Sequence, residues 1–470
     1  MERRTFLKIL SSAGIVSLVS PTFAMEVCKN KVSKSSSALL ESAFRNPPFS
    51  SGVYTWWHWM NGNITKDGIT RDLEAMKANG IAGYQLFEAG SGIPIGPVES
   101  LSDEWVDLIL HTLKESERLG LEFAMHNCPG WSSSGGPWIT PDKAMQIITW
   151  SETKITGGKQ VRIQLPTPKH MFDYYIDTYC LAIPANMKVI PRLSILELSN
   201  RLDKDGVLTW DVPTGEWLIM RFGQTAKDQK NKSAPSKSTG LDCDKFSTEA
   251  LDYHLNCMFK RLMPTMEKIA KHSKIGLLID SYETGDQDWT SDMPAYFEQS
   301  HGYELYPFLP VLANKIVESE ESTKRFLFDF RRVRADMFAE RYYGHFQKRC
   351  KEKGIITYTE PYGGNMMEEL QVAQQLDINM GEFWCGQTVL WANYKYNRTV
   401  KQVASIAHTL GGKVVGAEAF TSEPDADKWL QYPYALKSLG DYMFTRGLSR
   451  IYFHRFAHQP HPTAAPGMTM

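Results

Sequence analysis

Three stretches of the chain read as buried β-strands that run into a glutamate: Ile275-Gly-Leu-Leu-Ile-Asp-Ser-Tyr-Glu283, Ile355-Ile-Thr-Tyr-Thr-Glu360 and Lys413-Val-Val-Gly-Ala-Glu418. A carboxylate at the carboxyl end of a buried strand stands where parallel α/β folds place their chemistry. Several of them facing one pocket suit acid/base work on a sugar, or a metal site. Glu283 follows Asp280 and Tyr282 and precedes Thr284-Gly-Asp-Gln-Asp-Trp289, which predicts a general acid buried among aromatics. The competing role is a structural cap or ion pair just past the strand. Glu418 lies in Gly416-Ala-Glu-Ala-Phe420, where small neighbours give a ligand close access, and a structural ion pair is again the alternative. Glu360, before Pro361-Tyr-Gly-Gly364, and Glu382, before Phe383-Trp384, suit orientation of a base, sugar hydroxyls or a hard cation. Glu88 and Asp280 are weaker candidates of the same kind.

Elements that alternate along the chain must position these groups. Strands are predicted at Val53–Trp59, Gly83–Phe87, Leu121–His126, Ile275–Asp280, Ile355–Thr359, Leu376–Met380, Val414–Ala417 and Arg450–His454, with helical segments between most of them. Thr65 and Gly80 bracket one helix, and Ser102 and Gly120 the next. Eight such strands predict an α/β fold, a (β/α)8 TIM-like barrel. Between the third and fourth strands, residues 149–222 show short alternating segments with Pro and Gly turns, so a small β-rich insertion is expected there. This divides the chain into a leader at 25–50, strands 1–3 at 51–148, the insertion, and strands 4–8 at 223–470. The Trp56-Trp57-His58-Trp59 run and Asn61 on the loop behind it add Trp57, His58 and Asn61 as substrate-binding candidates, although strand alternation lets only two of the four run residues face one side. His126, Asp280, Trp384 and His454, at other strand ends, complete that set.

The 470 residues carry a formal net charge of −1, so electrostatics gives no reason to expect nucleic acid or an anionic membrane as a partner. Arg3-Arg4, the uncharged run Ile9–Ser20 and Thr22-Phe23-Ala24 resemble an export signal over residues 1–24, of twin-arginine or ordinary type. The mature chain is expected to start near Met25, with a flexible serine-rich leader, and to be periplasmic or secreted. Seven scattered cysteines form no Cys-x-x-Cys pair, which argues against a zinc or redox site and leaves one or two disulfides open. Phosphate-loop and Gly-x-Ser-x-Gly patterns are absent.

Tyr54-Thr-Trp-Trp-His-Trp-Met-Asn-Gly-Asn-Ile-Thr65, Arg221-Phe-Gly223, Asp280-Ser-Tyr-Glu283, Gly302-Tyr303 with Leu309-Pro310, Gly416-Ala-Glu418 and Phe453-His454 with His458-Gln-Pro460 together resemble glycoside hydrolase family 106, from about Gly52 to the last residue. The resemblance implies an inverting, calcium-dependent α-L-rhamnosidase acting on plant-type glycans. Glu283 would be the general acid and Glu418 the base. Strand position alone would instead favour retention, as in many retaining barrel glycosidases. Calcium is implied by the resemblance only, with Glu360 and Glu382 proposed as ligands from their strand positions. The family's eighth helix and downstream β-sandwich domains have no counterpart within these residues, so activity of this length of chain is itself an expectation to test. The alternatives are a barrel glycosidase for another sugar and an inactive carbohydrate-binding protein.

Overall fold

The computed structural model describes residues 34–90, 92–131, 134–385, 389–412, 414–423, 428–465 and 467–468, with backbone alone at 34–38 and 389–397. The expected export signal, Cys28 and Lys413 lie outside these residues. The chain divides into two units, Met1–Gly52 and Val53–Met470. In the first, the expected flexible leader is instead helical from Lys34 to Arg45. Its Ala-Leu-Leu-Glu core favours helix, and Arg45 pairs with Glu41 one turn back at 2.9 Å.

The second unit is built on eight parallel strands: β1 (Val53–Met60), β2 (Ile81–Ala89), β3 (Glu122–His126), β4 (Ile275–Ile279), β5 (Ile356–Thr359), β6 (Ile378–Trp384), β7 (Val415–Thr421) and β8 (Arg450–Ala457). They close in the order β1-β8-β7-β6-β5-β4-β3-β2, the barrel expected from the alternating pattern. Helix α1 (Lys66–Ala78) is capped by Thr65, whose hydroxyl accepts from Gly68 N at 3.1 Å. Helix α2 (Asp103–Leu119) is capped by Ser102 and ends at Gly120 in the left-handed conformation. The helical stretch after Ser247 is two helices, Thr248–Phe259 and Met263–Ala270, because Pro264 sits in the first turn of the second and cannot extend the first.

Between β3 and β4 the chain builds an antiparallel sheet from Gln146–Thr156, Glu216–Ala226, Ile176–Pro184 and Leu196–Glu197, and a separate antiparallel pair of strands from Lys159–Gln164 and Val207–Val212. Its apolar residues, among them Leu165, Cys180, Leu208 and Trp210, form a core of their own.

Inside the barrel the floor is a layer of tyrosines. Tyr54 and Tyr452 rings lie 5.1 Å apart, Tyr358 and Tyr452 6.4 Å, and the Arg450 guanidinium covers Tyr54 at 4.5 Å. Glycine makes room for them: a Cβ on Gly276 would lie 2.3 Å from the Tyr358 ring. The carboxyl ends of the strands, above this floor, are left for polar groups.

Candidate active site

Alternation sends one side of each strand into the barrel, and on β1 the inward pair is Trp56 and His58. Trp57 faces outward, where its indole donates to Asp72 of α1 at 3.0 Å, so it cannot bind a substrate in the barrel mouth. Asn61 is likewise structural: its amide donates to Ile93 O at 2.6 Å. On β2, Phe87 points inward and Glu88 outward, against Ser100, whose hydroxyl donates to it at 2.8 Å. Both assignments correct sequence expectations that could not fix which parity faces the core.

The mouth holds a cleft of about 230 Å³ lined by Trp56, His58, Phe87, Trp131, Asp280, Ser281, Glu283, Glu360, Glu382, Trp384, Glu418, Thr421 and His454. Of the candidates from sequence, Glu283, Glu418, His58, Asp280, Trp384, His454, Glu360 and Glu382 thus converge on one space. His126 does not line it. It is buried beneath the wall, edge-on to Trp56 at 5.2 Å and Phe87 at 4.8 Å, with Nε2 3.9 Å from Asp280.

Glu283, in the loop after β4, is not the buried group expected. Its side chain is 38% exposed, and Lys232 Nζ lies 2.5 Å from Oε2. The Trp131 indole donates to the same oxygen at 3.1 Å, and the Ser281 hydroxyl to Oε1 at 3.2 Å. Past the end of β4, the chain has already turned out to the rim. Glu418 lies three strands away on β7, with β5 and β6 between β7 and β4. Its Oε1 accepts from Thr421 at 2.6 Å and lies 3.9 Å from His454 Nδ1. Thr421 reaches the cleft because Phe420 adopts φ 62° and the β6–β7 register slips there, so the strand bulges by one residue. Phe420 then packs outward on Phe453 at 5.7 Å.

Glu382 pairs with Glu418 in register on adjacent strands and accepts from the Trp384 indole. Glu360 is fully buried. Its Oε2 accepts from Tyr362 at 2.5 Å, and Oε1 has no hydrogen-bond partner among the described residues. Burial, then the fields of Asp280, Glu418 and Glu382, push Glu360 well above the usual carboxylate range. Burial, then Glu382 and Asp280, do the same to Glu418. Asp280 is pushed up to about 8, mainly by burial, with Glu283 and Glu382 adding to it. At neutral pH it is therefore largely a carboxylic acid and a donor. Burial lowers His454 to about 3 and His58 well below its ordinary value, so both enter the cleft as neutral imidazoles.

The all-oxygen donor set suits a hard cation. Among the described residues, however, no three His, Cys, Asp or Glu side chains converge on a point that would hold a metal ion. Cys180, Cys243, Cys257 and Cys350 are free thiols. Sequence reading missed Trp131, Lys232 and Thr421. Trp131 had a signal, a lone aromatic in the glycine- and serine-rich loop after β3. Lys232 had none, since its contact spans 51 residues.

Glu88 carries a testable consequence of its outward burial, which raises it to about 7 from 4.5. The folded chain then holds a proton that the unfolded chain releases. The stability this confers is complete below about pH 4.5 and is lost as pH rises through 7. Glu88→Gln is expected to stabilise the fold at about pH 8 by up to about 3 kcal/mol, and hardly at all near pH 4.5, in urea melts at the two pH values.

Comparison with known proteins agrees with this geometry. The family model described as alpha-L-rhamnosidase, glycoside hydrolase family 106, matches residues 45–178 and 169–470. A curated protein of Formosa agariphila named "Putative beta-glucuronidase" is 40% identical in an alignment of length 462 that covers 92% of this chain and 39% of that one. The chain therefore spans well under half the length of that relative. The solved structure of a rhamnosidase from Novosphingobium sp. PP1Y superposes with a TM-score of 0.82 at 24% identity, covering 92% of this chain and 57% of the other, and shares its fold. With the barrel, the cleft carboxylates and a family match over nearly all of Val53–Met470, the chain belongs to glycoside hydrolase family 106.

Proposed function

We propose that this chain carries the catalytic barrel of an exported, inverting α-L-rhamnosidase that removes terminal rhamnosyl residues from plant-type glycans. The observation that carries the glycosidase part of this reading is the placement of Glu283 and Glu418 on the β4 and β7 sides of one cleft, and inversion rests on the family resemblance. Inversion needs a carboxylic acid under the leaving oxygen and a carboxylate holding water on the opposite face of the ring. Glu283, on the rim beside Trp131, is the acid. Glu418, deeper and oriented by Thr421, is the base. Asp280, His58 and His454 offer neutral donors and acceptors to sugar hydroxyls, and Trp56 and Trp384 offer aromatic surface. The paired arginines and uncharged run at the N-terminus support export.

As a base, Glu418 must be ionised, which burial and then its carboxylate neighbours resist. Calcium is the cofactor this reading includes. When bound, it would offset that repulsion, and Glu360, with its unpartnered buried Oε1, and Glu382 are the residues that would hold it. A second reading follows the name of the Formosa agariphila relative, a glucuronidase. The cleft disfavours it: its lining among the described residues includes five carboxylates and no lysine or arginine, a poor host for a terminal uronate.

The test is hydrolysis of an aryl α-L-rhamnoside with calcium and with a chelator, and the product anomer followed by NMR. Release of the inverted sugar, lost on chelation, is expected. Calcium should also raise the melting temperature, and Glu360→Gln should abolish that rise. Turnover of an aryl β-glucuronide in place of the rhamnoside would overturn the reading.

A further inference from the structure

Lys232 sits at the rim of the cleft, paired with Glu283. It belongs to the segment that returns from the insertion after Ala226 and crosses the barrel mouth. That segment is fastened to the loops after β2 and β3: Gly90 N donates to Ser233 O at 2.8 Å, Trp131 N to Lys232 O at 3.1 Å, and Asn231 Nδ2 to Pro129 O at 3.1 Å. A Cβ on Gly130 would lie 2.1 Å from Lys232 O, so the two backbones are in direct contact. The lysine side chain is 49% exposed, with Nζ on Glu283 Oε2 and 6.0 Å from the Trp131 ring centroid. Trp131 in turn stacks on Phe87 at 5.7 Å. The other lysines of the segment are engaged elsewhere: Lys227 with Asp286 O at 2.6 Å, Lys230 near Asp228 and Lys237 near Glu99.

We propose that Lys232 recognises a carboxylate on the leaving group, so that the preferred bond joins a neutral terminal deoxysugar to a uronic acid. This rests on the rhamnosidase reading, in which Glu283 protonates the glycosidic oxygen. A general acid touches that oxygen, so an ammonium bonded to the acid lies within one sugar of the leaving side. The four acidic groups deeper in the cleft, Asp280, Glu360, Glu382 and Glu418, disfavour a negative group there, and the rim accepts one through Lys232. The pairing also has a mechanistic use. An ammonium and a carboxylic O–H are both donors and cannot both face Glu283 Oε2. A uronate that draws Lys232 to itself frees that oxygen for the proton the reaction transfers.

The test compares kcat/KM for a rhamnosyl-uronate disaccharide and its carboxyl-reduced, neutral counterpart. A wild-type preference of roughly fivefold for the acid is expected, the effect of one partly exposed ion pair. It should shrink as ionic strength rises, vanish in Lys232→Met and persist in Lys232→Arg. Equal rates in the wild-type chain, or a preference that survives Lys232→Met, would overturn the proposal while leaving the rhamnosidase reading intact. If neither disaccharide is cleaved, the reading itself fails. Calorimetric binding of free glucuronate and of glucose, to wild type and Lys232→Met, then decides: tighter glucuronate binding that depends on the lysine supports the site, and its absence overturns it.

Discussion

Glu283→Gln and Glu418→Gln are each expected to lower kcat on an unactivated rhamnoside by about 10²–10⁴-fold, the usual worth of a positioned acid or base, with the circular dichroism spectrum unchanged. The two losses should differ in kind. A leaving group such as dinitrophenolate departs without a proton, so it should restore much of the rate to Glu283→Gln. It should do nothing for Glu418→Gln, where the missing step is activation of water. Rates against leaving-group pKa for the wild type and both variants read this directly. Near-normal turnover by either variant on an unactivated substrate removes that residue from its role. Equal rescue of both would mean that the roles are not divided as proposed.

The second large effect is on stability. Lys245 and Asp242 pair with both side chains fully buried. Lys245 also donates to Ser134 Oγ at 2.6 Å and Cys243 O at 3.1 Å, and its ammonium lies 5.1 Å from the Tyr342 ring centroid. Nearby, Asp244 Oδ2 accepts from Thr290 at 2.8 Å, and Gln287 accepts from Lys245 N at 2.9 Å. The network therefore ties the segment returning from the insertion to the loop that carries Glu283. Lys245→Met strands the Asp242 charge and is expected to cost about 3–5 kcal/mol in urea or guanidinium melts. Lys245→Met with Asp242→Leu should recover more than half of that loss, since no charge is then left buried alone. A loss in the single variant below about 1 kcal/mol would mean that Asp242 finds water once the lysine is gone.

Much of the barrel was legible because each strand is a short apolar run and most are followed by a helix with readable caps. The carboxylates were legible for the same reason: a charged residue ending such a run has few other places to be. Parity was not. Alternation restricts Trp56, Trp57, His58 and Trp59 to two pairs, but which pair faces inward depends on what covers the outer face, here Asp72 of α1 for Trp57. The exposure of Glu283 was hidden because strand logic was extended three residues into a loop. Nothing local marks Asp242 and Lys245 as buried, and only the packing of distant loops shows them so.

The slip at Phe420 makes β7 change phase along its length. Even-numbered positions face the ligand up to Glu418, and an odd-numbered one, Thr421, does so afterwards. Anyone diversifying the sugar site by a rule of every second residue would choose 418 and 420, and the second choice would strike the outer aromatic packing. The same slip separates two selective pressures within four residues. A change at Thr421 acts on the ligand space and on the Glu418 carboxylate it holds, while a change at Phe420 acts on outer packing, including that against Phe383 and Phe453.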